Sequence, residues 1–283
     1  MKFAGIIAEY DPFHNGHAWQ LAQAKALGAE RVAVAMSCSL VQRGALPLLP
    51  EAVRTRSALT CGADLVFALP APCACAGAEA FARAGVALLA AAGCDGLVFG
   101  AETPDAALLM EAAELLDSGS YRAALKAQLA GGARSFAAAR QAAAAQLASD
   151  ERVAALLDKP NNNLAVEYCR AIRSLAPRME AYPLPRQGAN HGEALHSAHG
   201  QFASASALRK LWAEGGADAV APYVPEAVFP LYQEAYAAGQ YTDFSAAGRC
   251  ELALLRSACR GKAPFADIRG VSEGLEHRLE AAV

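Results

Sequence analysis

The stretch Ile6-Ile7-Ala8-Glu9-Tyr10-Asp11-Pro12-Phe13-His14-Asn15-Gly16-His17 decides how this 283-residue chain is read. It joins an apolar run to a helical one. The residues from Lys2 to Ala8 have the character of a strand buried in a parallel sheet, and Asp11-Pro12 stops it. From His17 onward Trp19, Leu21, Ala22, Ala24 and Leu27 recur at helical spacing up to Gly28, where a left-handed cap is expected. His14 and His17 therefore fall at a helix N-terminus, directly behind a strand.

Unpaired amides and the positive end of the helix dipole favour an anion at such a position, phosphate foremost. Gly16 removes a side chain where a nucleotide would approach the backbone, and two imidazoles can donate to phosphate oxygens. Together His14 and His17 would stabilise charge on a pentavalent α-phosphate and on departing pyrophosphate. Taken alone, the four residues also read as two capping or surface histidines after an ordinary βα turn.

The alternation of strand and helix continues. Arg31 to Met36 reads as a second strand, Pro50 to Cys61 as a helix and Ala63 to Leu69 as a third strand. Gly77 to Ala92 reads as a helix, Asp95 to Phe99 as a fourth strand ending at Gly100, and Arg178 to Leu184 as a fifth. This is an α/β pattern, and in open α/β sheets ligands bind outside the carboxyl ends of the strands. The His14 turn, Gly100 and Arg186 all belong at that edge. Pro104 to Ala148 carries helical patterns broken at Gly119 and Gly131-Gly132, an inserted helical layer with no catalytic grouping. Lys159-Pro160-Asn161-Asn162-Asn163 precedes another helical pattern; one asparagine serves as an N-cap, and further amides suit an adenine edge or a ribose.

Several blocks then occur in order: Met36-Ser37, Val41-Gln42-Arg43-Gly44, Gly62-Ala63-Asp64-Leu65-Val66, Phe99-Gly100-Ala101-Glu102, Lys159-Pro160-Asn161-Asn162 and Arg269-Gly270-Val271-Ser272-Glu273-Gly274-Leu275-Glu276. With the His-x-Gly-His turn, they resemble the signature blocks of the bacterial tRNA(Met) cytidine acetate ligase family, within the nucleotidyltransferase superfamily. Phe202-Ala203-Ser204-Ala205-Ser206-Ala207-Leu208-Arg209 is similar to that superfamily's second phosphate-binding element. One departure stands out: Cys38-Ser39-Leu40 occupies the place where the family usually has Gly-Asn-Phe.

The resemblance implies a Rossmann-like core with a parallel sheet in strand order 3-2-1-4-5, spanning residues 1–215 with a helical insertion at about 104–158. A helical C-terminal region, 216–283, would end earlier than it does in the family. Implied catalytic residues are His14 and His17. Nucleotide binding would fall to Ile7, Ala8, Glu9, Tyr10, Phe13, Gly16, Gly100, Asn161 or Asn162, Arg186, Ser206 and Arg209, with Arg43 and Glu102 as substrate contacts. The implied reaction activates acetate with ATP, accompanied by a magnesium ion, and transfers acetyl to the wobble cytidine of elongator tRNA(Met).

Composition bounds the rest. A net charge of -3 gives no global case for nucleic acid, so any RNA contact must be local, with Arg249, Arg256, Arg260, Lys262 and Arg269 as candidates. The eight cysteines form no C-x-x-C pair, and His191, His196 and His199 lack an acidic or cysteine partner at metal-binding spacing, so no metal site is expected. No signal peptide is evident, and Ala84 to Cys94 is far too short to span a membrane, so a soluble cytoplasmic protein is expected. Oligomeric state is not legible. Two other functions share the motifs: a small-molecule adenylyltransferase of the pantetheine-phosphate or nicotinate-mononucleotide type, and a non-catalytic nucleotide- or RNA-binding module.

Overall fold

The structure, a computed structural model, describes all residues except 43, 133–134, 187–194, 198–199, 261–264, 266–267, 269–270, 272–273 and 283. The chain opens with β1 (Phe3–Ala8), α1 (Asn15–Ala26), β2 (Arg31–Ser37), α2 (Glu51–Thr60) and β3 (Leu65–Leu69). A short α3 (Ala71–Ala74) and a longer α4 (Ala78–Ala91) lead to β4 (Gly96–Ala101). Four helices follow, α5 (Ala106–Asp117), α6 (Gly119–Ala130), α7 (Phe136–Leu147) and α8 (Glu151–Leu156), before α9 (Pro160–Leu175) and β5 (Glu180–Pro185). A hairpin of β6 (Leu195–Ser197) and β7 (Gly200–Phe202), where sequence suggested only a polar loop, feeds α10 (Ala205–Val220), a 3-10 turn (Ala221–Tyr223) and α11 (Phe229–Ala237). The helices α12 (Phe244–Arg260) and α13 (Leu275–Ala282) complete the chain.

The five-stranded sheet has the expected order β3-β2-β1-β4-β5, with every neighbouring pair parallel. Parallel strands are buried on both faces, and their side chains alternate between two cores. Val32, Val34 and Met36 of β2 join Ala4 and Ile6 of β1 in a core shared with α1, α2, α10 and α11. Ala33 and Ala35 of β2, with Leu97 and Phe99 of β4, face the other core, built on α4, α5 and α9. Order reverses between β1 and β4, so the connections leaving those strands diverge and open a crevice at their carboxyl ends.

The expected boundary at 215/216 falls inside α10, where Gly216 has φ 66° and ψ -154° and breaks the helix. It is a kink rather than a domain edge. Ala217, Val220, Val224, Val228 and Tyr232 all lie beyond it and all belong to the α1-side core. By contacts, Met1–Gln240 form one compact unit and Tyr241–Val283, carrying α12 and α13, a second.

Close helix-to-sheet packing depends on small residues at the α4–β1 crossing. A Cβ on Gly85 would lie 2.5 Å from Ile7 Cδ1, and one on Gly5 would lie 2.8 Å from Leu89 Cδ1. Gly85→Ala is therefore expected to cost about 1–3 kcal/mol by overpacking, read from denaturant unfolding. Combining it with Ile7→Ala should cost less than the sum of the two single changes. Strict additivity would refute the steric account.

Candidate active site

Strand β1 delivers the chain into a turn in which Tyr10 has φ 50° and the Asp11–Pro12 peptide is cis. Tyr10 and Phe13 are fully buried and pack edge to face, so their side chains belong to the core. His14 is the N-cap of α1. Its Nδ1 accepts from the Gly16 N–H at 3.0 Å, while His17 Nδ1 accepts from the His14 N–H at 3.3 Å. This reciprocal arrangement is a capping box built from two imidazoles rather than a hydroxyl and a carboxylate. The rings stack with centroids 3.7 Å apart.

Two consequences follow from the capping. Each Nδ1 is occupied as an acceptor, so a neutral ring carries its proton on Nε2 and can donate there. Gly16 is required because a Cβ would come 2.9 Å from His14 Cε1, closing the space that the capping imidazole fills. The capping reading and the phosphate reading are thus compatible: one nitrogen of each ring serves the fold and the other remains for a ligand. Burial lowers the His14 pKa to about 4, aided by the nearby Arg186 guanidinium. His17 falls well below the ordinary histidine value, through burial first and then the fields of His14 and Arg186. Both rings are neutral at pH 7.

The facing side of the crevice comes from β4, α9 and β5. Glu102, just past β4, accepts from the Asn161 N–H at 3.2 Å, from Asn161 Nδ2 at 2.5 Å and from the Asn162 N–H at 2.6 Å. An acid from a distant loop thereby caps the start of α9, whose N-cap residue Lys159 offers no side-chain bond. None of the asparagines is the N-cap that sequence suggested. Asn162 is 1% exposed, with its Oδ1 taken by the Thr103 N–H and its Nδ2 by Thr103 Oγ1. Asn163 Nδ2 is committed to the carbonyls of Leu157 and Lys159. Asn161 differs: its Oδ1 accepts from Arg186 Nη1 at 2.7 Å. Arg186 leaves β5, packs its Cγ over Gly100 and donates its N–H to the Ala101 carbonyl. Glu102, Asn161 and Arg186 therefore form one hydrogen-bonded group, and the field of Arg186 reaches the two histidines.

The serine turn reaches the same edge from α10. Ser204 caps that helix by accepting from the Ala207 N–H, and its Oγ lies 3.1 Å from the exposed Ser206 Oγ. Arg209 Nη1 donates to the Asp11 carbonyl at 2.6 Å and to Asp11 Oδ2 at 3.0 Å, locking α10 to the histidine turn. Glu9 Oε1 accepts from the Gln42 N–H and Asp11 Oδ1 from the Leu48 N–H, both at 2.6 Å, so the loop after β2 is anchored across the strand ends. Ile7 lies in the α4-side core and Ala8 is half-buried. Arg43 lies outside the described residues. Of the C-terminal cations, Arg249 and Arg256 lie on α12; Lys262 and Arg269, like the Arg260 side chain and His191, fall outside them.

Sequence reasoning missed Arg54. It is fully buried, and its guanidinium donates to the carbonyls of Glu9, Ser37, Cys38 and Leu49, binding the ends of β1 and β2 to the loop that follows β2. The available signal was its spacing, since Val53, Ser57 and Ala58 show that Arg54 sits on the inward face of α2. Among the described residues no cluster of three or more His, Cys, Asp or Glu could hold a metal ion, and no helix is long and apolar enough to cross a membrane.

A parallel sheet whose switch point carries two neutral, capped histidines defines a nucleotidyl transferase, and the family model described as HIGH Nucleotidyl Transferase matches residues 1–283. A tRNA(Met) cytidine acetate ligase of Syntrophotalea carbinolica is 37% identical over 285 residues, covering 100% of this chain and 66% of the relative. One from Caldanaerobacter subterraneus subsp. tengcongensis is 34% identical over 290 residues, covering 100% and 70%. The crystal structure of Thermotoga maritima TmcAL bound with alpha-thio ATP matches with a TM-score of 0.85 at 30% identity, over 99% of this chain and 67% of that one. The chain belongs to the tRNA(Met) cytidine acetate ligase family, and it spans about two thirds of the length of these relatives.

The half-buried, neutral histidines make stability depend on pH. Their folded pKa values lie below the ordinary value of 6.5, so the unfolded chain binds more protons as pH falls. The His14 contribution is fully present above about pH 6.5 and is lost as pH falls toward about 4. A His14→Gln, His17→Gln double variant should lose less melting temperature than wild type between pH 7 and pH 5. Equal losses would show that the rings do not titrate on unfolding. Separately, Asn162→Ala should cost about 1–3 kcal/mol in urea unfolding by leaving the Thr103 N–H unpaired, with Asn161→Ala costing less. The reverse order would misplace the structural asparagine.

Proposed function

We propose that this chain binds ATP at the carboxyl ends of β1 and β4, activates acetate as acetyl-adenylate with release of pyrophosphate, and transfers the acetyl group to N4 of the wobble cytidine of elongator tRNA(Met). The observation that carries the reading is the pair of stacked histidines. Each is held by its Nδ1 and is neutral at pH 7, so each presents an Nε2–H donor beside the N-terminal amides of α1. The names of the relatives supply the acid and the RNA.

Acetate is ionised at neutral pH and is already a nucleophile, so the first step needs no general base. A carboxylate oxygen bonds to the α-phosphorus while the bond from that phosphorus to the bridging oxygen breaks, and pyrophosphate carries away the electron pair. His14 and His17 oppose the charge that grows on the phosphoryl oxygens and the leaving group. Arg186, held by Asn161, adds a fixed positive charge, and Ser206 with the α10 amides receives the outer phosphates. Main-chain groups of residues 7–10, Phe13 and Gly16 would line the nucleotide, with Gly100 admitting it closely. Magnesium would travel with the phosphates of ATP and shield their charge. In the second step the cytidine amine attacks the acetyl carbonyl, AMP departs and the amine loses a proton.

His17→Ala should lower acetate-dependent pyrophosphate–ATP exchange by about 10²-fold or more. It should also cost about 0.5–2 kcal/mol of stability, because the same ring caps the His14 N–H. Exchange near the wild-type rate would remove His17 from the chemistry. Exchange driven by a phosphomonoester instead of acetate would replace the acetate ligase reading with a small-molecule adenylyltransferase.

A further inference from the structure

Away from the histidines, a cleft of about 530 Å³ opens where the first turn of α4 meets α6, α7 and α9. Its buried wall is Glu167, 3% exposed, which accepts from Arg140 Nη2 at 2.5 Å and from Arg170 Nη1 at 2.7 Å. Asp117 holds the far side of Arg170 through Nε at 2.8 Å. These bonds fix two guanidinium planes in place. Arg83 and Arg122 are exposed at the rim, so the lining carries four arginines against the two glutamates Glu79 and Glu167, in a chain whose net charge is -3. The N-terminal residues of α4, Gly77 to Ala80, also line the cleft, and no side chain caps that helix.

The apolar part of the lining is aromatic. Tyr121 is buried against the base of the cleft, whereas Phe136, at the start of α7, is 61% exposed. The exposed guanidinium of Arg122 and the α4 amides suit a phosphate, and an exposed ring beside them suits a planar base. Unpaired RNA presents both together, and proteins read it by stacking on aromatic side chains or guanidinium planes. The position fits as well. Glu167 lies six residues beyond Asn161, about 9 Å along α9, so one helix contributes to both the cleft and the proposed nucleotide site.

We propose that this cleft binds an unpaired nucleotide of the tRNA substrate, its phosphate against Arg122 and the start of α4 and its base on Phe136. The proposal rests on the tRNA half of the function proposed above. It assigns the helical insertion, which shows no catalytic grouping, to substrate recognition.

The test uses the full chain and two exposed positions outside the histidine site. Binding of an elongator tRNA(Met) transcript is followed by fluorescence anisotropy for wild type, Phe136→Ala and Arg122→Ala, alongside acetate-dependent pyrophosphate–ATP exchange without tRNA. Phe136→Ala should weaken tRNA binding by about fivefold or more. Arg122→Ala should weaken it and reduce the slope of log affinity against log salt by about 0.7, the loss of one single-strand phosphate contact. Exchange should stay within about twofold of wild type in both, as for positions that do not touch ATP or acetate. Unchanged tRNA affinity in both variants would overturn the cleft assignment. Unchanged tRNA affinity with a raised KM for ATP would overturn it in favour of a free nucleotide. A wild-type chain that binds no tRNA would overturn the RNA partner itself, while preserved exchange would leave adenylate formation standing.

Discussion

Two N–H groups at the start of α1 have no partner within the helix, and both find one in an imidazole. The rest of the site depends on this. Capping by Nδ1 sets the tautomer, the tautomer leaves Nε2–H as the donor, and burial keeps each donor uncharged. An aspartate cap would satisfy the helix equally well but would offer no donor to a phosphate. The requirement of the backbone and the requirement of the chemistry are met by the same two side chains, and Gly16 is the residue whose missing Cβ lets them coexist.

Around this turn the structure uses buried polar groups as ties between segments. Arg54 gathers four main-chain carbonyls from the ends of two strands and a loop. Burying a guanidinium is costly, and the cost is offset only because every acceptor is a fixed peptide group. Asp11 plays the complementary part, accepting from the Leu48 N–H and from Arg209. Burial raises its carboxyl pKa, against the lowering effect of those partners. Tyr232, on α11, donates its hydroxyl to the Phe13 carbonyl at 2.6 Å, and Asn15 Nδ2 donates to the Pro222 carbonyl.

The strands, their order and the switch point were legible because a buried parallel strand reads as a short apolar run, and in β1, β3 and β4 the run is ended by proline or glycine. The histidine turn was legible for the same reason: it directly follows such a strand. What sequence could not supply was the partner of each polar side chain. Asn161, Asn162 and Asn163 are one letter repeated, and only the fold separates an amide that holds Arg186 from two that hold loops. Glu102 was legible only as an implied substrate contact, yet it caps α9, about sixty positions away in the chain. The boundary placed at 215/216 responded to a real glycine break, but the hydrophobic residues beyond it pack into the first core. The hairpin of β6 and β7 was missed because its strands have three residues each, too few for alternation to register.

The tie from Tyr232 to Phe13 spans 219 residues, and that from Arg209 to Asp11 spans 198. During synthesis the chain emerges from its N-terminus, and domains fold as units. Strand β1 and the histidine turn are made well before the groups that hold the turn. A nascent chain that has paired β1 with β2 already has its histidines, without the α10 and α11 contacts that fix them. The histidine turn is therefore fixed only once α11 has been made.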